Sequence, residues 1–208
     1  MEQAADELGA ELRFLNLTTQ NDGEEQAELL RREAEGGAGA LVVIPADSVA
    51  LSAILIGGGV SCPVVALESP VAGGAGEVVL DNEQLGRRLA EALLEDWTSG
   101  PVLLLDTAPG CAGVTARLEA AEEALEEAGV DAVRVESLPE DGSAAWVMTF
   151  ERSATLRTAE RKEAEGLSFA LYGVGGSTAI TAHLERGTIS AMAAWSDYAA
   201  GYLAVRQA

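Results

Sequence analysis

At 208 residues with 48% apolar content, the chain suffices for one large or two small domains around a real core, which excludes a disordered polymer. Its 34 Asp and Glu against 13 Lys and Arg leave a net charge of −21, which excludes a broad basic face for nucleic acid or an anionic membrane. No apolar run approaches the ~18 residues of a membrane span, and no basic-then-apolar leader opens the chain.

The chain reads as cut at both ends. Met1 opens directly into a helix and AAGYLAVRQA stops inside another, which leaves any export signal or anchor outside these residues. In chain order, residues 2–9 read as a helix end closed by Gly9. Residues 11–17 alternate, with Leu12, Phe14 and Leu17 apolar, and predict a half-buried strand. Asn21-Asp22-Gly23 predicts a turn and cap before a helix over 24–35. ALVVI over 40–44 is a continuous apolar run, as in a parallel strand covered on both faces, and Asp47 can cap a helix over 49–56. PVVAL over 63–67 is the next buried strand.

Val78, Val79 and Leu80 then run into Asp81-Asn82, either of which can cap a helix bearing Leu85, Leu89, Ala92 and Leu93 at a period near 3.6. This stretch is expected to cross between two α/β lobes. Beyond it the pattern predicts a strand over 101–105, a loop over 106–113 and a helix over 114–128 closed by Gly129. Strands over 130–135 and 145–150 follow, then a helix over 153–165 and a strand over 167–171. A tight turn over 173–176, a helix over 178–185, a strand over 189–194 and a last helix from Tyr198 complete the chain. Strands spaced by helices mean βαβ units and parallel sheets. The connection ESLPEDGSA before Ala145 is too short for a helical crossover, so it is either a degenerate crossover or lacks residues.

The ordered segments AADELGAEL, GALVVIPADSVAL, CPVVALES, VVLDNEQLGRRLAEAL, ARLEAAEEALEEAG, LYGVGGSTAITAHLERGTISAM and DYAAGYLAV resemble the type 1 periplasmic binding proteins, in particular the sugar-binding branch related to ribose-binding proteins. The resemblance implies an α/β fold of two Rossmann-like lobes with parallel sheets joined by hinge crossings. Lobe one would be 1–81, its first strand lying before Met1; lobe two would be 82–194, and 195–208 would return to lobe one. Ile44 stands where the sugar binders carry Asn, Glu68-Ser69 where they carry Asp-Arg, and Thr115 where they carry Arg. Their Gly-Phe-Asp turn becomes Gly173-Val174-Gly175, and a late Gln becomes Trp195.

The candidate ligand-binding residues are Asp47, Glu68, Ser69, Thr107, Thr115, Phe150, Glu151, Gly175, Trp195 and Asp197. Glu68 follows a strand at the end where open α/β sheets put their ligands, and it is either a hydrogen-bond acceptor for a hydroxylated or cationic ligand or a solvated loop acid. In Thr107–Thr115, TAPGCAGVT, backbone N–H groups and Thr107 either cradle a polar ligand or form an ordinary connection. Phe150 and Glu151 offer stacking and a carboxylate. Trp195 is a stacking platform or hinge packing, and Asp197 a ligand contact or, preferably, a helix cap. Gly173–Thr178 mimics a dinucleotide fingerprint but ends in Thr, so no nicotinamide or flavin cofactor is expected. His183 reads as a surface residue, and without a second His no nucleophile and base set forms around Cys111, which disfavours an enzyme. Cys62 and Cys111 are not expected to pair, and no metal site is expected.

The sequence therefore reads as an extracytoplasmic solute-binding protein that takes a small polar ligand, a sugar or sugar-like, into an interlobe cleft. Its expected partner is an ABC transporter permease or a membrane sensor, with no nucleic acid bound by this domain. The alternatives are a ligand-free sensor or interaction domain, or the effector domain of a LacI-type transcriptional regulator.

Overall fold

The computed structural model describes residues 1–140 and 143–208, which form two compact units. Unit 1 comprises Met1–Leu80, Ala108–Gly113 and Ser196–Ala208; unit 2 comprises Asp81–Thr107 and Val114–Trp195.

In unit 1, β1 (Leu41–Val43), β2 (Val64–Glu68) and β3 (Gly76–Val79) form a parallel sheet in that order. Every residue of β2 is buried because both of its faces are covered. Val64 and Ala66 pack with Leu30 of α2 (Gly23–Glu35) and Leu51 of α3 (Ser48–Ile56). On the opposite face Val65 and Leu67 pack with Ala200 and Ala204 of α8 (Asp197–Gln207). Beside α8 lies α1 (Glu2–Leu8), closed by Gly9 in the left-handed conformation. Asp22 caps α2 by accepting from the Glu25 N–H at 2.9 Å, and Asp47 caps α3 by accepting from Val49 and Ala50 at 2.9 and 2.8 Å.

Two expectations fail in this unit. Residues 11–17 form no strand: Phe14 and Leu15 are exposed, and among the described residues β1 pairs with β2 alone. Alternation specifies a strand only where a neighbour takes its backbone hydrogen bonds, and here none does. The chain beyond is held instead by the Glu25 carboxylate, which accepts from the Thr18 and Thr19 N–H groups at 2.7 and 2.9 Å. The cap of α8 is Ser196, accepting from the Ala199 N–H at 3.1 Å, and not Asp197. Asp197 is the first helical residue, where its carboxylate faces the positive end of the helix.

In unit 2, β4 (Val102–Leu105), β5 (Ala132–Val135), β6 (Trp146–Thr149), β7 (Ala170–Val174) and β8 (Ala191–Ala193) form a wholly parallel sheet in the order β5-β4-β6-β7-β8. One face buries Leu105, Val147 and Leu171 with Ala159 of α6 (Arg152–Glu165) and Ile180 of α7 (Thr178–Glu185). On the other side of β7, the Tyr172 hydroxyl donates to Asp96 at 2.6 Å at the end of α4 (Asn82–Asp96). Burial first, and then the Asp96 carboxylate, pushes the Tyr172 hydroxyl pKa up. The chain goes from β4 to β5 on one side and returns to β6 on the other, so the strand order reverses between β4 and β6. The connection that makes this return, over 136–145, includes residues 141 and 142, which lie outside the described residues; Leu138 within it is buried against Val147 and Phe169.

β7 runs three residues beyond its expected end, so Gly173 and Val174 are strand and not turn. The reason is close packing: a Cβ at Gly173 would meet Thr155 Cγ2 at 2.5 Å, and Thr155 Oγ1 accepts from the Val174 N–H at 3.1 Å. His183 is buried and not a surface residue. Its Nδ1 lies 3.0 Å from Glu163, whose carboxylate also takes the Thr188 hydroxyl and Arg186. The Thr188 hydroxyl, then Arg186, then His183 hold the Glu163 carboxyl down from 4.5 to about 2.

A folded pKa below the unfolded one adds stability that is present above the unfolded value and is lost as pH falls through the folded one. Glu163→Gln is therefore expected to lower the melting temperature at neutral pH. The wild-type and variant curves should converge as pH falls from 4.5 towards 2, read by circular dichroism. Curves that stay apart at pH 2 would assign the loss to packing instead.

Candidate functional site

A reversal of strand order leaves a crevice outside the carboxyl ends of the two strands concerned, because the connections leave in opposite directions. In unit 2 these ends carry Thr107 after β4 and Glu151 after β6, and the Thr107 hydroxyl donates to the Glu151 carboxylate at 3.2 Å. Behind them Arg117 is 2% exposed. Its Nε donates to Asn82 Oδ1 at 2.7 Å and its Nη1 to the Phe150 carbonyl at 2.9 Å. Its guanidinium also stands over the Trp195 ring, 4.8 Å from the centroid, and Arg152 stands over the same ring at 5.4 Å.

Trp195 Nε1 is buried and has no hydrogen-bond partner among the described residues. An orphaned buried donor costs about 1–3 kcal/mol. The other two indoles avoid that cost: Trp97 donates to the Gly100 carbonyl and Trp146 to the Ser99 carbonyl, each at 3.0 Å.

Arg117 lies on α5 (Ala112–Glu127), two residues beyond Thr115, where the expected contact had been placed. The signal for it was periodicity. Val114, Arg117, Leu118, Ala121 and Leu125 share the buried face of α5, so a guanidinium enters the interior at a helical spacing. Gly86 makes the approach possible, since a Cβ there would stand 1.9 Å from the Arg117 carbonyl oxygen. Asn82, the second residue of the expected cap, is buried as the guanidinium's acceptor; the cap is Asp81, accepting from the Gln84 N–H at 3.0 Å.

Unit 1 has its own polar group at the carboxyl end of its sheet. Glu68 ends β2 buried, with φ at 68° and the Ser69 N–H donating back to the Leu67 carbonyl at 2.8 Å. That is a γ-turn of the rare positive-φ kind, strained for a residue with a Cβ. Ser69 fixes it: its hydroxyl lies 3.1 Å from the Cys111 sulfur and accepts from the Gly113 N–H at 3.1 Å. The end of β1 is held by Gln26, which donates to the Ile44 carbonyl and accepts from the Ala46 N–H, both at 2.9 Å.

The segment Ala108–Gly113 packs in unit 1 against this same edge. The Gly110 carbonyl accepts from the Ser48 N–H at 2.8 Å, and the Ala112 N–H donates to the Ser48 hydroxyl at 3.1 Å. The backbone N–H groups of Cys111, Ala112 and Gly113, expected as a cradle for a ligand, are thus taken by Ala108, Ser48 and Ser69.

Of the other expected contacts, Phe150 is wholly buried and has no free stacking face; its carbonyl serves Arg117. Thr115 is half-buried in the first turns of α5. Gly175 is buried, and a Cβ on it would meet the Arg152 stem at 3.0 Å. Asp47 spends one oxygen on its cap, and Asp197 is exposed at the start of α8. Among the described residues no group of His, Cys, Asp and Glu is arranged to hold a metal ion, and both cysteines are free thiols.

Arg117→Met is expected to destabilise the protein by about 3 kcal/mol in urea denaturation, because Asn82 and the Phe150 carbonyl lose their buried donors. Arg117→Lys should recover only part of this, since an ammonium does not reproduce the two-pronged donation.

The family model for the periplasmic binding protein domain matches residues 1–208. Among curated proteins none matches the sequence significantly. Solved structures do share the fold. The periplasmic component of an ABC-type sugar transport system from Hahella chejuensis superposes with a TM-score of 0.80 at 20% identity, over 99% of this chain and 84% of that one. A carbohydrate transporter solute-binding protein from Agrobacterium radiobacter, in complex with D-arabinose, gives 0.79 at 16% identity over 99% and 79%. An ABC transporter solute-binding protein from Agrobacterium vitis, bound to alpha-D-tagatopyranose, gives 0.80 at 16% over 99% and 79%.

Proposed function

Because this chain belongs to the family of periplasmic binding protein domains, we propose that it captures a small polyhydroxylated ligand, a sugar or sugar-like. The loaded form is read outside the cytoplasm by an ABC transporter permease or a membrane sensor. The observation that carries the reading is the switch point of unit 2. There a hydroxyl and a carboxylate, Thr107 and Glu151, meet at the two strand ends and a buried guanidinium stands behind them. Carboxylates accept from sugar hydroxyls, and a charge-assisted bond of that kind is about twice as strong as a neutral one.

We assign ligand contacts in unit 2 to Thr107, Glu151 and Trp195, with Gly175 holding space for Arg152. In unit 1 we assign them to Glu68, presented by its strained turn, with Ser69 and Asp47 in support. Solved proteins of this fold hold D-arabinose and tagatopyranose, which agrees with this class of ligand. Among the described residues no helix is long and apolar enough to cross a membrane.

A thermal-shift screen against sugars, polyols, nucleosides and amino acids is expected to return a rise in melting temperature that grows with the logarithm of ligand concentration. Glu68→Ala should then weaken the hit by about 1–3 kcal/mol in calorimetry. Unchanged affinity removes Glu68 from the site, and no shift from a demonstrably folded protein overturns the reading.

A further inference from the structure

We infer that Ser48 and Ser52 of α3 are positioning residues for the ligand contact at Glu68, acting through a closed ring of hydrogen bonds that holds its turn. The inference rests on the sugar-binding reading above, in which Glu68 meets the ligand, and deepens it. Among the described residues two non-glycines have a positive φ, Asn21 at 58° and Glu68 at 68°. Asparagine tolerates that region because its short side chain bonds the nearby backbone, and glutamate has no such means. A glutamate kept there needs its backbone held from outside the turn, and strain of this kind clusters where a side chain has to be aimed.

The hold runs bond by bond within unit 1. Ser69, next to Glu68, accepts the Gly113 N–H on its hydroxyl at 3.1 Å. One residue back, the Ala112 N–H donates to the Ser48 hydroxyl at 3.1 Å. One turn along α3, on the same face, the Ser52 hydroxyl donates to the Ser48 carbonyl at 2.6 Å. The Ser52 oxygen in turn accepts from the Ala72 N–H at 3.0 Å, three residues after Ser69, which closes the ring. The segment 69–72, by which the chain leaves Glu68, is thus fixed at both ends, and α3 supplies the fixed points. Ser48 and Ser69 are buried and Ser52 is half-buried, and their hydroxyls bond the protein's own backbone. Their part is to aim Glu68.

The test is Ser52→Ala, which removes the Ala72 acceptor on the side of the ring away from Glu68. In the free protein the Ser69 N–H closes the turn on the Leu67 carbonyl, and its hydrogen exchange, read by NMR, should become about ten-fold faster in the variant while amides in the middle of β2 keep their rates. Calorimetry of the whole chain with D-arabinose, D-tagatose, D-glucose and D-galactose reads the effect on the ligand. Ser52→Ala should weaken the sugar that binds by about ten-fold, the worth of one charge-assisted hydrogen bond. Ser52→Thr, which keeps the hydroxyl, should retain the affinity, and in a Glu68→Ala background the loss from Ser52→Ala should vanish. An unchanged exchange rate at Ser69, or an affinity loss that persists without Glu68, overturns the positioning role and leaves sugar binding standing. Binding of none of these sugars by the wild type overturns both.

Discussion

A buried guanidinium has to be surrounded by acceptors, and much of unit 2 is arranged around that demand. Arg117 reaches the start of α4 through Asn82, the end of β6 through the Phe150 carbonyl and the segment after β8 through the Trp195 ring. Three chain positions that are distant in sequence are thereby pinned to one planar group with fixed donor directions. Gly86 follows from the same constraint, because α4 and α5 approach at a distance no side chain permits. The end of β6, which carries Glu151, is therefore held by a buried interior contact, and Thr107 after β4 meets it through the Glu151 carboxylate.

Unit 1 reaches a comparable result by different means. Its strand ends are held by side-chain amides and hydroxyls that bond backbone groups: Gln26 at the end of β1, Ser48 on Ala112, Ser69 on Gly113. These bonds use the polar groups of the loops on the protein itself, so what projects from this edge is selected. Glu68 is the residue in the strained turn, and neighbours on both sides over-determine its backbone.

How much of this was legible in the sequence depended on whether the physics was local. Strands such as β2 announce themselves as continuous apolar runs, because cover on both faces leaves no polar position. Helix caps at Asp22, Asp47 and Asp81 depend on a side chain and a backbone group three residues apart at most. The failures are matters of partnership. Residues 11–17 alternate correctly but have no strand beside them, and Gly173 looked like a turn because the threonines that press on it arrive from α6 and β6. His183 looked exposed because its partner Glu163 lies on another helix. For the site, carboxyl-end position pointed to Thr107, Glu151 and Glu68, whereas Arg117 was passed over in favour of Thr115. A resemblance aligns positions, but burial of a charge is decided by the helix face, and that face includes Arg117.

The sheet of unit 1 is completed by α8, whose Ala200 and Ala204 cover Val65 and Leu67, and α8 follows the whole of unit 2 in the chain. On the ribosome, domains ordinarily finish in the order in which they emerge. Here β1, β2 and β3 leave first yet keep one apolar face bare until α8 has been made, while the strands of unit 2 are already complete. The nascent chain carries an open hydrophobic sheet through most of its synthesis, and that interval is when a holding chaperone has a surface to bind.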